Sequence, residues 1–322
     1  MSETLEVRNL MAKPGTKTFG FIKVGETPIS PIEIPVGLVN GSEPGPTLCI
    51  TAGVHPAEYP GIEAAIKTYK NTDPKKLKGK LIIVPVVNLQ GFAVGSAYIN
   101  PIDNINTGRA FPGKKDGSIT YQIAYTISEE LISKSDYRID LHGGDAPELL
   151  MHPGFPIYRK IGIKAVDDAA ELIAKAYGTK YVWCSSRPLP ETVTDWRSRV
   201  ASVTLESGGC GQYEDKWIKV HTDGIENIMR ALSMFEGEPK IRADQVTVTD
   251  TGEDLRVKRG GLFYPFAKPG DAVKKGEKIG EIRDLKGDLL EELISPVDGL
   301  VRIYFWHRFK NTGDFVYKFF VP

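Results

Sequence analysis

The chain is 322 residues long and is 41% hydrophobic, 25% charged and 9% aromatic. This is enough apolar material for a sizeable core, which excludes a disordered or fibrous chain, and at ~150 residues per domain the length predicts two domains. Lys and Arg together number 41 and so do Asp and Glu, so the basic excess typical of a nucleic-acid binder is absent.

Residues 17–51 alternate short apolar runs with turn signals, and Asn40-Gly41 after the run 32–39 is a hairpin-type dipeptide. Residues 47–52 predict a buried strand ending at Gly53. A helix follows from about Pro60, with Ile62, Ala65, Ile66 and Tyr69 on one face. Residues 81–87 form the next apolar run, and 88–117 a polar loop rich in Gly and Asn. Ser118 is placed to cap a helix whose apolar positions are Ile119, Ile123, Ile127 and Leu131. Residues 137–142 predict a short strand ending in Gly143-Gly144. Residues 165–177 predict a helix with Val166, Ala169, Leu172, Ile173, Ala176 and Tyr177 inside and Gly178 beyond its end. Residues 200–205 predict a strand ending at Glu206. In the last helix, Asp223 and Glu226 have capping-box spacing, Ile225, Ile228, Met229, Leu232 and Phe235 form the core face, and Gly237 stops it.

Strands alternating with helices imply an α/β layer with helices on both faces. From about residue 241 to 322 the helical period disappears, and short strands are broken by Gly and Pro. The expected division is 1–238, with N-terminal strands in 1–45, and a small all-β domain in 239–322. The three cysteines, Cys49, Cys184 and Cys210, form no CxxC pair, which argues for a reducing compartment. The first residues lack the apolar core of a leader, and no stretch approaches the ~20 apolar residues of a membrane span. The expectation is a soluble cytoplasmic protein. Its lysine clusters, such as Lys75, Lys76, Lys78 and Lys80, read as solvated surface.

The polar exceptions share one property. His55 and Glu58 follow one predicted strand, His142 ends a second and Glu206 ends a third. In an open α/β sheet, ligands bind beyond the carboxyl ends of strands. Four metal-competent or proton-competent side chains therefore share one rim, provided these strands are neighbours. His55 and Glu58, three apart, fall on one side of a helical turn. With His142 they make a His2Glu set, and a catalytic zinc takes three protein ligands and leaves a position for water. A carboxylate is then needed to take the water proton and pass it to the leaving amine, and Glu206 is the candidate. His-x-x-Glu alone is common by chance, His142 alone reads equally as a core histidine, and Glu206 alone as a structural carboxylate. Their conjunction at three strand ends near glycines carries the inference.

Four segments then occur in order: Gly53-Val54-His55-Pro56-Ala57-Glu58-Tyr59-Pro60-Gly61, Arg109-Ala110-Phe111-Pro112-Gly113, Asp140-Leu141-His142-Gly143-Gly144 and Leu205-Glu206-Ser207-Gly208-Gly209. Together they resemble the succinylglutamate desuccinylase/aspartoacylase family, relatives of the zinc carboxypeptidases, over about residues 46–211. Asp-Leu-His before two glycines looks closest to the branch with N-acetyl-diaminobutyrate deacetylase-like proteins. The resemblance implies a zinc carboxypeptidase-like mixed sheet with helices on both faces, followed by the small β domain. It also implies one Zn2+ per chain on His55, Glu58 and His142, with Glu206 as general base and acid. The family usually shows Asn-Arg before x-Phe-Pro-Gly, a pair that holds the substrate carboxylate. Here Arg109 is retained, but the Asn position is Gly108, which puts that recognition in question. Asn106 matches a position that supports a zinc-bound histidine in relatives.

Other candidates are Asp140, spaced to orient His142; Asp145, placed to face the pocket; and Arg197, a candidate for polarising the scissile carbonyl or an ordinary ion pair. His152 could lie at the mouth, while His221 and His307 read as structural or exposed. Cys210 has no histidine beside it in sequence. Residues 270–276 and 295–301 look like two halves of a biotinyl/lipoyl-type hammerhead. Lys286 is then the only candidate carrier lysine, without the usual context, so the unit reads as structural. The expected function is a zinc-dependent amidohydrolase acting on a small N-acyl amino acid or related amide that carries an anionic group, without nucleic-acid or membrane partners. A homo-oligomer is compatible with the sequence. The alternatives are a metallocarboxypeptidase acting on small peptides and a non-catalytic metal-binding or ligand-binding relative.

Overall fold

The computed structural model describes residues 3–185, 199–249 and 254–321. A short ribbon, β1 (Leu5–Val7) with β2 (Leu10–Ala12), precedes β3 (Thr16–Glu26), β4 (Pro31–Asn40) and β5 (Glu43–Ala52). Then come α1 (Tyr59–Asn71), β6 (Lys78–Val84), α2 (Leu89–Ala93), α3 (Ile119–Thr126), β7 (Tyr137–His142), β8 (Glu148–Leu150) and β9 (Phe155–Tyr158). The chain continues through α4 (Lys164–Ala176), β10 (Tyr181–Cys184), β11 (Ala201–Glu206), α5 (Asp215–Ala231) and β12 (Val246–Val248). Nine strands form one mixed sheet in the order β12-β10-β9-β11-β7-β5-β6-β4-β3. Its centre, β11-β7-β5-β6, is parallel, so these four strands deliver their carboxyl ends to one edge.

Alternation along the strands sorts side chains between two cores. Leu48, Ile50, Ile139, Leu141, Val203 and Leu205 face α1, α4 and α5, while Cys49, Ile82 and Val84 face α3 and the N-terminal ribbon. Full burial of each Leu or Ile contributes ~1.5–3 kcal/mol. Helices cover both faces, as the alternating pattern predicts. No helix among the described residues is long and apolar enough to cross a membrane.

Local details depart from the sequence pattern for identifiable reasons. Asn40-Gly41 is not a hairpin turn, because β6 lies between β4 and β5. The Asn40 amide instead donates to the carbonyls of Glu3 and Ala12, tying down the ribbon. Helix α5 begins eight residues before Asp223, since Trp217, Ile218 and His221 extend the buried stripe backward. Asp223 is left mid-helix, paired with Lys219. Ser118 does not cap α3 with its side chain. Its hydroxyl donates to Asp103, which also accepts from the Thr120 backbone and hydroxyl. Ile66 and Leu172 are exposed, at 43% and 39%, where the predicted apolar faces run wider than the surface to be covered. Strands β8, β9 and β10 escape the pattern because they are three or four residues long, and β9 contains Pro156.

Beyond residue 238, β12 adds to the edge of the large sheet beside β10. The remaining chain supplies β13 (Leu255–Arg256), β14 (Gly261–Pro265), β15 (Ala272–Val273), β16 (Lys278–Arg283), β17 (Leu289–Ile294), β18 (Gly299–Phe305), β19 (Phe309–Lys310) and β20 (Phe315–Phe320). These form two antiparallel sheets, β13-β20-β18-β15 and β17-β16-β14-β19. Phe263, Ile282, Val301, Val316 and Phe319 fill the core they share. Strand β8 pairs with β18, and Phe155, Trp183, Ile303 and Phe320 pack together where the two parts of the chain meet.

Gly154 adjoins the end of β11. Its φ is +109°, and a Cβ there would collide with the carbonyl oxygen of Glu206. Replacing it by alanine forces a left-handed conformation on an L-residue and pushes the strand end aside. Gly154→Ala is expected to lower the unfolding free energy in urea by ~2 kcal/mol or more. A change below ~0.5 kcal/mol, the range of an ordinary surface substitution, would show that the strand end is not constrained in this way.

Candidate metal centre

The parallel strands β5, β7 and β11 lie side by side, with Ala52 opposite Leu141 and His142 opposite Glu206. In-register residues of parallel strands point to the same face, so Glu206 and His142 share one face and one rim. After β5 the chain turns through Gly53 and presents His55, and Glu58 occupies the N-cap of α1 with Pro60 in its first turn. The Glu58 carboxylate makes no capping hydrogen bond to the helix. It turns toward the two imidazoles, at the end of the helix whose dipole favours an anion.

Glu58 Oε1 lies 3.0 Å from His55 Nδ1, and Glu58 Oε2 lies 2.8 Å from His142 Nδ1. One donor atom from each of the three residues falls within 4.8 Å of the other two. The far sides of both rings are occupied. His142 Nε2 donates to Asp140 at 3.1 Å, and His55 Nε2 lies 3.3 Å from Asn106 Oδ1. With Nε2–H spent, each neutral ring turns a lone pair at Nδ1 toward a carboxylate oxygen. Glu58 Oε2 is buried and accepts no hydrogen bond among the described residues, despite its close nitrogen neighbour. Two lone pairs facing across 2.8 Å would repel, so the contact calls for positive charge, supplied by a proton on the ring or by a metal ion between the groups. Tetrahedral ligands with ~2.1 Å bonds to zinc stand ~3.4 Å apart, so this donor set suits the ion with small adjustment.

Electrostatics point the same way. Burial works to raise Glu58, but His142 and His55 outweigh it and hold its carboxyl at about 2. Burial opposes charging of His142 too, yet Glu58 and Asp140 draw the ring upward. Asp140 is itself anchored. It accepts from Arg138 at 2.7 Å and from Thr51 at 2.5 Å, and Arg138 holds it low against its burial. Burial, reinforced by the charges of Glu58 and Glu148, pushes Glu206 up to about 8 and Asp145 up to about 10. These carboxyls crowd one another, and a divalent cation among them would relieve the repulsion.

Of the other sequence candidates, Asp145 is buried, with Oδ2 3.8 Å from His55 Nδ1 and Oδ1 lacking a hydrogen bond among the described residues. Arg109 is exposed on the single turn at Thr107–Arg109, one residue from Gly108. A Cβ at Gly108 would stand 3.1 Å from His55 Nε2, so the missing side chain lets this turn approach the ring. Arg197 lies outside the described residues. His152 and His307 are exposed, and Cys210 is half-buried with its thiol pushed up by burial to about 11. The glycines after His142 and Glu206 pack strand ends together, since a Cβ at Gly144 would lie 2.7 Å from Gly209 Cα.

Sequence reasoning misses Thr51, Arg138, Glu148 and Tyr98. Thr51 reaches Asp140 only through strand pairing, whereas Arg138 stands two residues before Asp140 on the same face of β7 and also donates to Thr51. Tyr98 stands edge-on to His55 at 6.0 Å between ring centroids. Glu148 begins β8 and pairs with Phe305 of β18, while Trp306 Nε1 donates to Ala146 O at 2.7 Å. The C-terminal strands thus hold the segment beside the site. His221 is fully buried, and burial pushes its imidazole down to about 4. No local motif signals these residues.

Comparison with known proteins bears on the family and the fold. A family model described as the succinylglutamate desuccinylase/aspartoacylase catalytic domain matches residues 44–232. The N-alpha-acetyl-L-2,4-diaminobutyric acid deacetylase of Halomonas elongata is 28% identical over 316 residues, covering 92% of this chain and 89% of that protein. Two solved structures share the fold. The product-bound ectoine utilization protein EutE (DoeB) of Ruegeria pomeroyi has a TM-score of 0.88 at 24% identity, over 100% of this chain and 99% of that one. A succinylglutamate desuccinylase of Silicibacter sp. TM1040 has a TM-score of 0.85 at 24% identity, over 95% of each chain. With its model matched over more than half of the sequence, the chain belongs to the succinylglutamate desuccinylase/aspartoacylase family.

Proposed function

We propose that the protein is a zinc-dependent amidohydrolase that removes the acyl group from a small N-acyl amino acid. The observation that carries this reading is the convergence of two imidazole Nδ1 atoms on the buried Glu58 carboxylate, with both Nε2 atoms already engaged. His55, Glu58 and His142 would hold one zinc ion per chain, and a zinc ion so held supplies Lewis acidity toward a carbonyl and a nucleophile at neutral pH. Glu206, in register with His142, takes the proton of the attacking water and delivers it to the departing amine. Asn106 and Asp140 orient the two rings. Arg109 anchors the substrate carboxylate from the rim, without the asparagine partner that Gly108 replaces.

The site also has an excess of carboxyl groups, with Asp145, Glu148 and Glu206 around the ligands. This favours a substrate that brings a positive charge, in keeping with the diamino acid in the name of the Halomonas relative. We read the chain as a catalytic unit through β12 and a C-terminal hammerhead-like barrel-sandwich unit. The latter is structural: Lys286 at its hairpin tip pairs with Asp288 at 2.9 Å.

Purified protein is expected to contain about one zinc per chain by elemental analysis, and His142→Ala to lose it. Chelation should abolish hydrolysis and zinc should restore it. Glu206→Gln is expected to retain zinc while kcat falls by ~10²–10⁴; activity at the wild-type level would remove Glu206 from its role. In a steady-state panel, Nα-acetyl-2,4-diaminobutyrate should be cleaved at least ~10-fold more efficiently (kcat/KM) than its neutral isostere Nα-acetylnorvaline, and dipeptides not at all. Cleavage confined to dipeptides would favour a carboxypeptidase, and zinc without turnover a binding protein.

A further inference from the structure

We infer that His221, which the chemistry above does not use, is a positioning residue that sets how the strand end carrying the metal ligand sits against the strand end carrying Glu206. This rests on the proposed metal site. His221 lies on α5 and is fully buried. Its Nε2 donates to the backbone carbonyl of His142 at 3.0 Å. The same carbonyl accepts the backbone N–H of Ser207, the residue after Glu206, at 3.1 Å. One oxygen is therefore the junction between β7, α5 and the chain leaving β11.

The other side of the His221 ring is defined as well. Nδ1 lies 3.1 Å from the Tyr177 hydroxyl. A carbonyl can only accept, so Nε2 carries the proton, and the neutral ring then accepts at Nδ1 from the tyrosine O–H. Tyr177 follows α4 and is wedged against α5, where a Cβ at Gly224 would collide with its ring. The relay runs from helix packing through Tyr177 and His221 to the main chain of His142. The His142 imidazole is 12% exposed and, among the described residues, is hydrogen-bonded or ion-paired through its ring to Asp140 and Glu58. A lost donor would let the carbonyl turn and carry the ring with it. Hydrogen-bond partners of metal-ligating groups typically govern ~10–100-fold in affinity or activity, and His221 acts on the main chain that carries such a group.

Two variants and one measurement on the unaltered protein test this. His221→Leu fills the space without a donor, whereas the amide nitrogen of His221→Gln can donate from the position of Nε2. Zinc affinity is read by competition with a chromogenic chelator, and kcat and KM by steady-state kinetics. His221→Leu should bind zinc ~10–100-fold more weakly and lose kcat ~10-fold or more, with KM within twofold, while His221→Gln should stay within ~3-fold of wild type on both. In zinc-free wild-type protein, 15N–1H correlation of the histidine rings should show His221 neutral and protonated at Nε2. A His221→Leu protein with a lower Tm but wild-type zinc affinity and kcat would overturn the inference, as would an Nδ1-protonated or doubly protonated ring. If His221→Leu does not fold, the failure of His221→Gln to retain zinc affinity and kcat would also overturn it. Wild-type protein that binds no zinc would refute the proposed function, whereas wild-type zinc binding with an indifferent His221→Leu would refute only the role of His221.

Discussion

A buried carboxylate between two imidazoles is the constraint around which this molecule is organised. Glu58 is 3% exposed, and an isolated charge at that depth is strongly unfavourable. His55 and His142 stand 3.0 and 2.8 Å away, and positive charge there, on the rings or on a cation they share, is what sustains the charge of Glu58. Those rings are in turn aimed by groups behind them, Asn106 for one and the Asp140–Arg138–Thr51 network for the other. The result is a set of three donors with their lone pairs directed inward, on a framework that resists collapse.

That framework follows from the parallel centre of the sheet. Strands β5, β7 and β11 bury apolar residues against the helices on one face, and on the other they carry Thr51, Asp140, His142 and Glu206. Period-two alternation thus places a hydrophobic layer and a polar layer on opposite sides of the same strands. Both cores stabilise the sheet, and the polar side chains at its carboxyl edge are held by strands that cannot move independently. The C-terminal strands add a second support, because β8 belongs to their sheet and brings Asp145 and Glu148 beside the ligands.

The acidic character of the site has a consequence for chemistry. Burial, together with the repulsion of neighbouring carboxylates, drives Glu206 and Asp145 toward their neutral forms. Positive charge brought in by a metal ion or by a cationic substrate would reverse that tendency. In the proposed reaction, the ionised form of Glu206 therefore depends on what else occupies the site, which would couple proton transfer to loading.

The sequence alone determined the residue types and their local settings. The period-two strand 137–142, the apolar runs 47–52 and 81–87, the helix after Pro60, and the placement of His55, Glu58, His142 and Glu206 next to strand ends are local signals, because periodicity and glycine breaks are encoded over a few residues. It misjudged the start of α5, the role of Ser118 and the Asn40-Gly41 turn, since each depends on a partner distant in sequence: the buried stripe beneath α5, Asp103 and the intervening β6. Only the tertiary structure decided that β5, β7 and β11 are adjacent, that Thr51 meets Asp140, and that His221 reaches the His142 carbonyl. Strand order and helix packing arise from burial summed over the whole chain, so no single segment contains them.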